Sequence, residues 1–343
     1  MNRTQVNNVA PKTHNWLVTA TQSPHGGAVA PINTSKRGQD VAGLADADFG
    51  ITYYDSGYFN EATMDFEVPT YDRGDFKGQA KDQYIVRTDT QQMLGNHSGK
   101  YPDREGYNHV FNTLEELFPE SCESVTVYGH GERLVVEQVL DDPIDLGGGD
   151  TIQPFIYTRM SLNGTWKTEI IPIQRRISCE NMLGHKGSIV GVKATRNHDN
   201  ILTMRSDVLE QSMYQARELA LFAEELSMYD ADRAMFQRML DEIIPLPEED
   251  ASSRLQTSIA RKRGSVVNAW NEEMSRFGTQ KWGMPTGSLW LAFNAFQGAE
   301  QHRINQGYKS TEESSQKALA KSLDGKTPIA DAAEQYLREL VSI

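Results

Sequence analysis

Between Arg159 and Arg205 the chain carries eight basic residues, Arg159, Lys167, Arg175, Arg176, Lys186, Lys193, Arg196 and Arg205, against three acids, Glu169, Glu180 and Asp199. That segment is +5, while the rest of a chain of net charge −13 sums to −18. A locally basic block in an acidic protein suits a surface that holds a phosphate backbone in one place and stays soluble elsewhere. Phe155, Tyr157 and Trp166 lie on the same stretch. Aromatic rings of this kind either stack on nucleobases or fill the packed face of a hairpin.

Other chemistries leave weaker marks. There is no GxxxxGK[ST] phosphate loop, no GxGxxG after a strand, no HExxH and no paired CxxC. Gly147-Gly148-Gly149 falls between two strand-like runs and reads as a turn. Cys179 stands six residues before His185, and His198 follows thirteen later. These three are the only candidate nucleophile or metal cluster, and the nearby Arg175, Arg176 and Lys186 would favour a thiolate. No sequence feature marks a base for Cys179. The expectation is therefore no catalytic residue, no metal and no cofactor. Arg261-Lys262-Arg263-Gly264 forms a second basic cluster, read as a solvated helix face.

These residues must be positioned by an α+β chain with a central antiparallel β-sheet or hairpin block followed by a helical C-terminal half. Residues 1–45 are rich in Asn, Thr, Ser, Gly and Pro, and read as an extended polar arm that reaches a neighbouring subunit, with Trp16-Leu17-Val18 as its anchor. Residues 46–205 read as a β-rich core with the basic hairpin, and residues 206–343 as a helical region packing on it. Tyr107, Val110, Phe111, Leu114 and Leu117 recur at helical spacing, and Pro119 follows. Ser124–Tyr128 and Arg133–Val139 carry strand-type residues. Ile152–Leu162 and Thr165–Ile173 flank Asn163-Gly164, a type I′ hairpin signal. Helical patterns run from Met204 to about Leu240, Arg254 to Phe277, Thr286 to about Asn305, and Ile329 to Val341. Two cysteines in 343 residues do not make a disulfide scaffold. The opening residues hold no apolar stretch, and no run approaches the ~18 apolar residues of a membrane span. The expected location is the cytoplasm, a host cell's if the gene is a phage's, with no membrane partner.

The motif order resembles a known family. Gly149-Asp150-Thr151-Ile152-Gln153-Pro154-Phe155-Ile156-Tyr157, then Ser161-Leu162-Asn163-Gly164, then Arg176-Ile177-Ser178-Cys179-Glu180-Asn181-Met182-Leu183 are similar to the central pattern of the phage- and plasmid-borne proteins catalogued as domain of unknown function 932. Arg87-Thr88-Asp89-Thr90 and Thr286-Gly287-Ser288-Leu289-Trp290, with His302 beyond, resemble its flanking blocks. Arg196-Asn197-His198-Asp199 departs from the basic-His-Thr element often found there. The resemblance implies no settled activity. The strand–strand–strand–helix order is further similar to single-strand annealing proteins of the λ Red-beta type, which assemble into rings or filaments. The two together imply an oligomeric single-stranded DNA-binding and annealing protein of recombination or replication. Arg159, Lys167, Arg175, Arg176, Lys186, Lys193 and Arg196 would hold phosphates, and Tyr157 and Trp166 would meet bases. The competing reading is a phage assembly or interaction protein that binds no nucleic acid.

Overall fold

A computed structural model describes residues 28–29, 37–55, 58–62, 64–67, 70–73, 76–79, 83–97, 107–140, 142–147, 150–177, 181–183, 190–192, 205–281, 284–304, 318 and 321–341. The N-terminal elements are β1 (Ala28–Val29), α1 (Gly38–Leu44), β2 (Ile51–Asp55), the hairpin strands β3 (Tyr58–Asn60), β4 (Asp65–Glu67), β5 (Thr70–Arg73) and β6 (Phe76–Gln79), then β7 (Gln83–Arg87), β8 (Met93–His97) and α2 (Asn108–Leu117). The central strands follow: β9 (Cys122–Tyr128), β10 (Arg133–Val139), β11 (Ile144–Gly147), β12 (Asp150–Ser161), β13 (Thr168–Arg176), β14 (Asn181–Leu183) and β15 (Val190–Val192). The C-terminal half comprises α3 (Arg205–Met228), β16 (Asp230–Ala231), α4 (Arg233–Ile243), α5 (Ser253–Phe277), β17 (Thr279–Lys281), β18 (Met284–Ser288), α6 (Leu289–Ala299), a π-turn over Glu300–Ile304 and α7 (Pro328–Val341). The fold is α+β.

The main sheet is an antiparallel meander in the order β1-β9-β10-β12-β13-β14, with β11 on the edge of β12 and β15 on the edge of β13. Strand residues alternate between faces, and directly paired residues share one. One face therefore carries Val125, Leu134, Val136, Ile156, Met160 and Ile170, which bury against Val110, Phe111 and Leu114 of α2 and Val41 and Ala42 of α1. Farther along the same face, Ile152 joins the core of the helical half with Leu219, Phe222, Trp290 and Phe293. Two apolar cores on one sheet face thus tie both halves of the chain to β12.

Three elements differ from the sequence reading. The hairpin between β12 and β13 is present, but its connection spans residues 162–167 and is not a two-residue type I′ turn. A type I′ turn needs positive φ at both central residues. Gly164 has φ of 70°, whereas Asn163 is not in that region. The Asn163 side chain instead accepts hydrogen bonds from Thr165 N and Oγ1, and Ser161 Oγ accepts from Trp166 N, closing a wider loop. The run from Met204 to Leu240 is two helices. Asp230–Ala231 pairs with Ser288–Gly287, and Asp232 Oδ1 caps α4 by accepting from Met235 N at 2.7 Å. The described part of the arm folds onto the chain's own core: Ala28–Val29 pairs with β9, and α1 buries Val41 and Ala42 against α2. Trp16-Leu17-Val18 lie outside the described residues.

Candidate nucleic-acid interface

The opposite face of the sheet is polar. It carries Ser124, Thr126 and Tyr128 of β9, Arg133, Val135 and Glu137 of β10, Phe155, Tyr157 and Arg159 of β12, and Glu169, Ile171, Ile173 and Arg175 of β13. Tyr128, Val135, Phe155, Tyr157, Ile171 and Ile173 pack there with Leu323 as a small core. The predicted basic and aromatic residues are distributed unequally between this face and the other.

Arg175 and Tyr157 sit in the middle of the polar face with no exposed surface. Arg175 Nη2 donates to Glu137 Oε2 and to Tyr157 Oη, each at 2.6 Å, and its guanidinium lies 4.4 Å from the Phe155 ring centre. Burial pushes the Tyr157 phenol well above its ordinary range, so it stays a neutral hydroxyl. His302, from the π-turn, is held at about 4 by burial first and then by the positive charges of Arg303 and Arg175. Arg176 points the other way, as adjacent strand residues must. Its Nε donates to Asp150 Oδ1 and its Nη1 to Glu273 Oε2, both at 2.6 Å, and Trp290 Nε1 donates to Asp150 Oδ2 at 2.8 Å. The assignment of Arg175, Arg176 and Tyr157 to a phosphate- and base-contacting surface is thereby corrected. All three are buried in charge-assisted networks that knit the sheet together and clamp it to α5 and α6.

Arg159 is intermediate. Its side chain is 12% exposed, and its guanidinium divides between two carboxylates. Nε and Nη2 meet Glu169 Oε2, its partner across the β12–β13 pair, at 2.7 and 2.6 Å. Nη1 meets Asp324 Oδ1 at 2.5 Å. Trp166 is half-buried beside it and packs edge-on to Tyr128, with ring centres 5.2 Å apart. The guanidiniums of Arg133 and Arg159 lie 4.9 and 5.7 Å from the Trp166 ring centre. Lys167 is exposed next to it. The end of β15 reaches the same place, since Val192 pairs with Thr168. Lys186, Lys193 and Arg196 lie outside the described residues, as do Cys179, His185 and His198.

The structure therefore brings Arg133, Arg159, Trp166 and Lys167 together at the Asn163 end of the sheet and separates them from Arg175 and Arg176. Arg133 was missed because it precedes the basic block. The acids Glu137, Asp150, Glu273 and Asp324 were missed as partners. Glu137, directly after the apolar run Leu134-Val135-Val136 in a strand-like segment, was the one local signal of a buried ion pair, because a buried charge needs a counter-charge. Arg263 of the second basic cluster also proves paired, with Asp241 at 2.5 Å and with the C-terminal carbonyls of α4. Among the described residues, no three His, Cys, Asp or Glu side chains are grouped to hold a metal ion, and no helix is long and apolar enough to cross a membrane.

No curated protein and no solved structure matches the chain. A family model described as domain of unknown function (DUF932) matches residues 107–324, a stretch that begins at α2, contains the whole polar face and ends on Asp324. The chain belongs to that family.

Proposed function

We propose that the chain is a single-stranded DNA-binding protein of the annealing type, and that nucleic acid meets it at the Asn163 end of the polar sheet face. The observation that carries this reading is the convergence of half-exposed Trp166, exposed Lys167 and half-buried Arg133 at one end of a sheet. A half-exposed indole beside guanidinium and ammonium groups suits a base and its flanking phosphates without base-specific readout. The chain then leaves β15 into a sequence that adds Lys193 and Arg196.

The test is fluorescence anisotropy with a labelled single-stranded oligonucleotide at about 50 and about 200 mM salt. Binding falls steeply over that range. Lys167→Glu weakens it and flattens the salt dependence, and Trp166→Ala costs about 1–3 kcal/mol of affinity. Absence of binding by the wild-type chain at the lower salt overturns the reading.

A second reading, a protein-contact role in phage assembly, is favoured by one feature. Tyr214, Leu221 and Met228 are 63%, 60% and 80% exposed at heptad spacing along α3. Such a stripe suits self-association without DNA. Light scattering with and without oligonucleotide separates the two: an oligomer indifferent to DNA, with no binding at low salt, supports the second.

A further inference from the structure

Residues 321–327 cross the polar face of the sheet. Lys321–Leu323 is the end of a helical turn closed by Gly325 at φ of 65°, with Lys326 N bonded to Lys321 O and Gly325 N to Ser322 O, each at 3.0 Å. That pair of bonds around a left-handed glycine is a Schellman stop, which fixes where the preceding side chains point. Leu323 is inserted, 1% exposed, among Tyr128, Val135, Phe155, Tyr157, Ile171 and Ile173. Asp324 lands on Arg159 Nη1, and Lys326 Nζ, at 3.0 Å from Asp324 Oδ2, completes the row. The two ion pairs hold the Asp324 carboxylate below its ordinary range, although burial opposes them.

The two carboxylates on Arg159 are not equivalent. Glu169 faces it from the directly paired position of the neighbouring strand, so sheet pairing keeps the two side chains within reach. Asp324 arrives from a segment 165 residues away, and its side chain is 31% exposed. A carboxylate on a guanidinium edge occupies the position a phosphodiester oxygen would take, with the same charge and the same acceptor geometry. We infer that Arg159 is a phosphodiester site of the interface proposed above, closed in this conformation by the chain's own Asp324, and that the Leu323–Gly325 turn is the strap that nucleic acid displaces. The inference rests on the single-stranded DNA reading. When the strap lifts, Arg159 Nη1 and the Trp166 ring become available together, which extends the site inward from Lys167.

The test compares wild-type chain with Leu323→Ala and Asp324→Asn by oligonucleotide anisotropy across a salt series. Glu248→Gln, in the exposed α4–α5 connection, controls for the bare loss of one negative charge. Leu323→Ala leaves the charge unchanged and removes the side chain that anchors the strap to the sheet. Both strap variants are expected to bind at least about threefold more tightly at low salt, with the slope of log affinity against log salt steeper by about 0.7, one further phosphate on a single strand. The control is expected to stay near wild type. Wild-type binding that neither strap variant exceeds overturns the strap and leaves the interface standing. An Asp324→Asn gain matched by the control, with none from Leu323→Ala, likewise overturns it. No binding by the wild-type chain at low salt overturns the interface itself, and the strap with it.

Discussion

Replacing Arg176 by methionine tests whether this residue is structural. Arg176 has no exposed side-chain surface, and its partners Asp150 and Glu273 are 8% and 7% exposed. At an effective dielectric near 20, charges about 4 Å apart attract by about 4 kcal/mol. Desolvation of each ion offsets several kcal/mol of that, so the intact network contributes little net stability. Removing the cation is different. It leaves Asp150 and Glu273 close together and buried without their shared counter-charge, and it removes the guanidinium from its positions 4.8 and 5.7 Å from the Phe277 and Trp290 ring centres. Breaking a buried pair from one side costs about 3–5 kcal/mol, a large part of the 5–15 kcal/mol that ordinarily separates folded from unfolded protein. Urea unfolding of Arg176→Met should show that loss. Glu273→Gln, which keeps the Asp150 pair and a polar group at the same site, should lose about 1–3 kcal/mol. Below its unfolding midpoint, Arg176→Met should bind oligonucleotide with the wild-type salt slope. A stability change under 1 kcal/mol together with a flattened salt slope would refute the structural assignment and return Arg176 to the phosphate-contacting set.

Three further outcomes follow from local geometry. His302 has a folded-state value near 4 against 6.5 when exposed, so the unfolded chain takes up its proton first as pH falls. Its contribution is complete above pH 6.5 and is lost between 6.5 and 4. About 1–2 kcal/mol is expected for this partly buried ring, and His302→Gln should flatten stability against pH over that window. Gly131 sits at φ of 114°, and a Cβ there would fall 2.6 Å from Phe49 Cζ. Gly131→Ala should therefore destabilise by at least about 1 kcal/mol in thermal unfolding. Asp232→Ala removes the cap of α4 and should cost about 1 kcal/mol in the same assay, whereas Asp232→Ser should retain most of it.

The elements that were legible in the sequence are those whose signals are local. The spacing from Tyr107 to Leu117 gave α2, the run Arg133–Val139 gave β10 to the residue, and Arg254 to Phe277 gave α5 to within one. Strand pairing across 162–167 was also foreseeable, because both flanking runs are apolar and β-branched. The turn type was not. Asn-Gly favours a type I′ turn only when no other bond competes, and here Asn163 Oδ1 and Ser161 Oγ close a wider loop through side chains. The break between α3 and α4 was hidden for a related reason. Tyr229–Asp232 contains no proline or glycine, and the chain leaves the helix because Asp230–Ala231 finds a strand partner near residue 288. That partner is tertiary, and helical periodicity carries no information about it.

The candidate site shows the same division more sharply. A running count of charge treats every arginine as available, yet an arginine's destination is set by its partner. Arg159, Arg175 and Arg176 account for three of the eight bases in the basic block. Between them they engage Glu169 within the block and Glu137, Asp150, Glu273 and Asp324 outside it. Those last two lie 97 and 165 residues from the arginines they meet, so no window of sequence contains both members. Alternation did predict that Arg175 and Arg176 face opposite ways, and that Tyr157 and Arg159 share a face. It could not say that both faces are covered. Among the described side chains of the block, Lys167 is the exposed base, while Arg159, Arg175 and Arg176 are the ones held in ion pairs. That partition is physically ordered: the guanidinium is the cation that tolerates burial, and the strongly hydrated ammonium stays at the surface. At the proposed interface Lys167 is the exposed cation, and Arg159 is the arginine whose competing carboxylates belong to the chain itself.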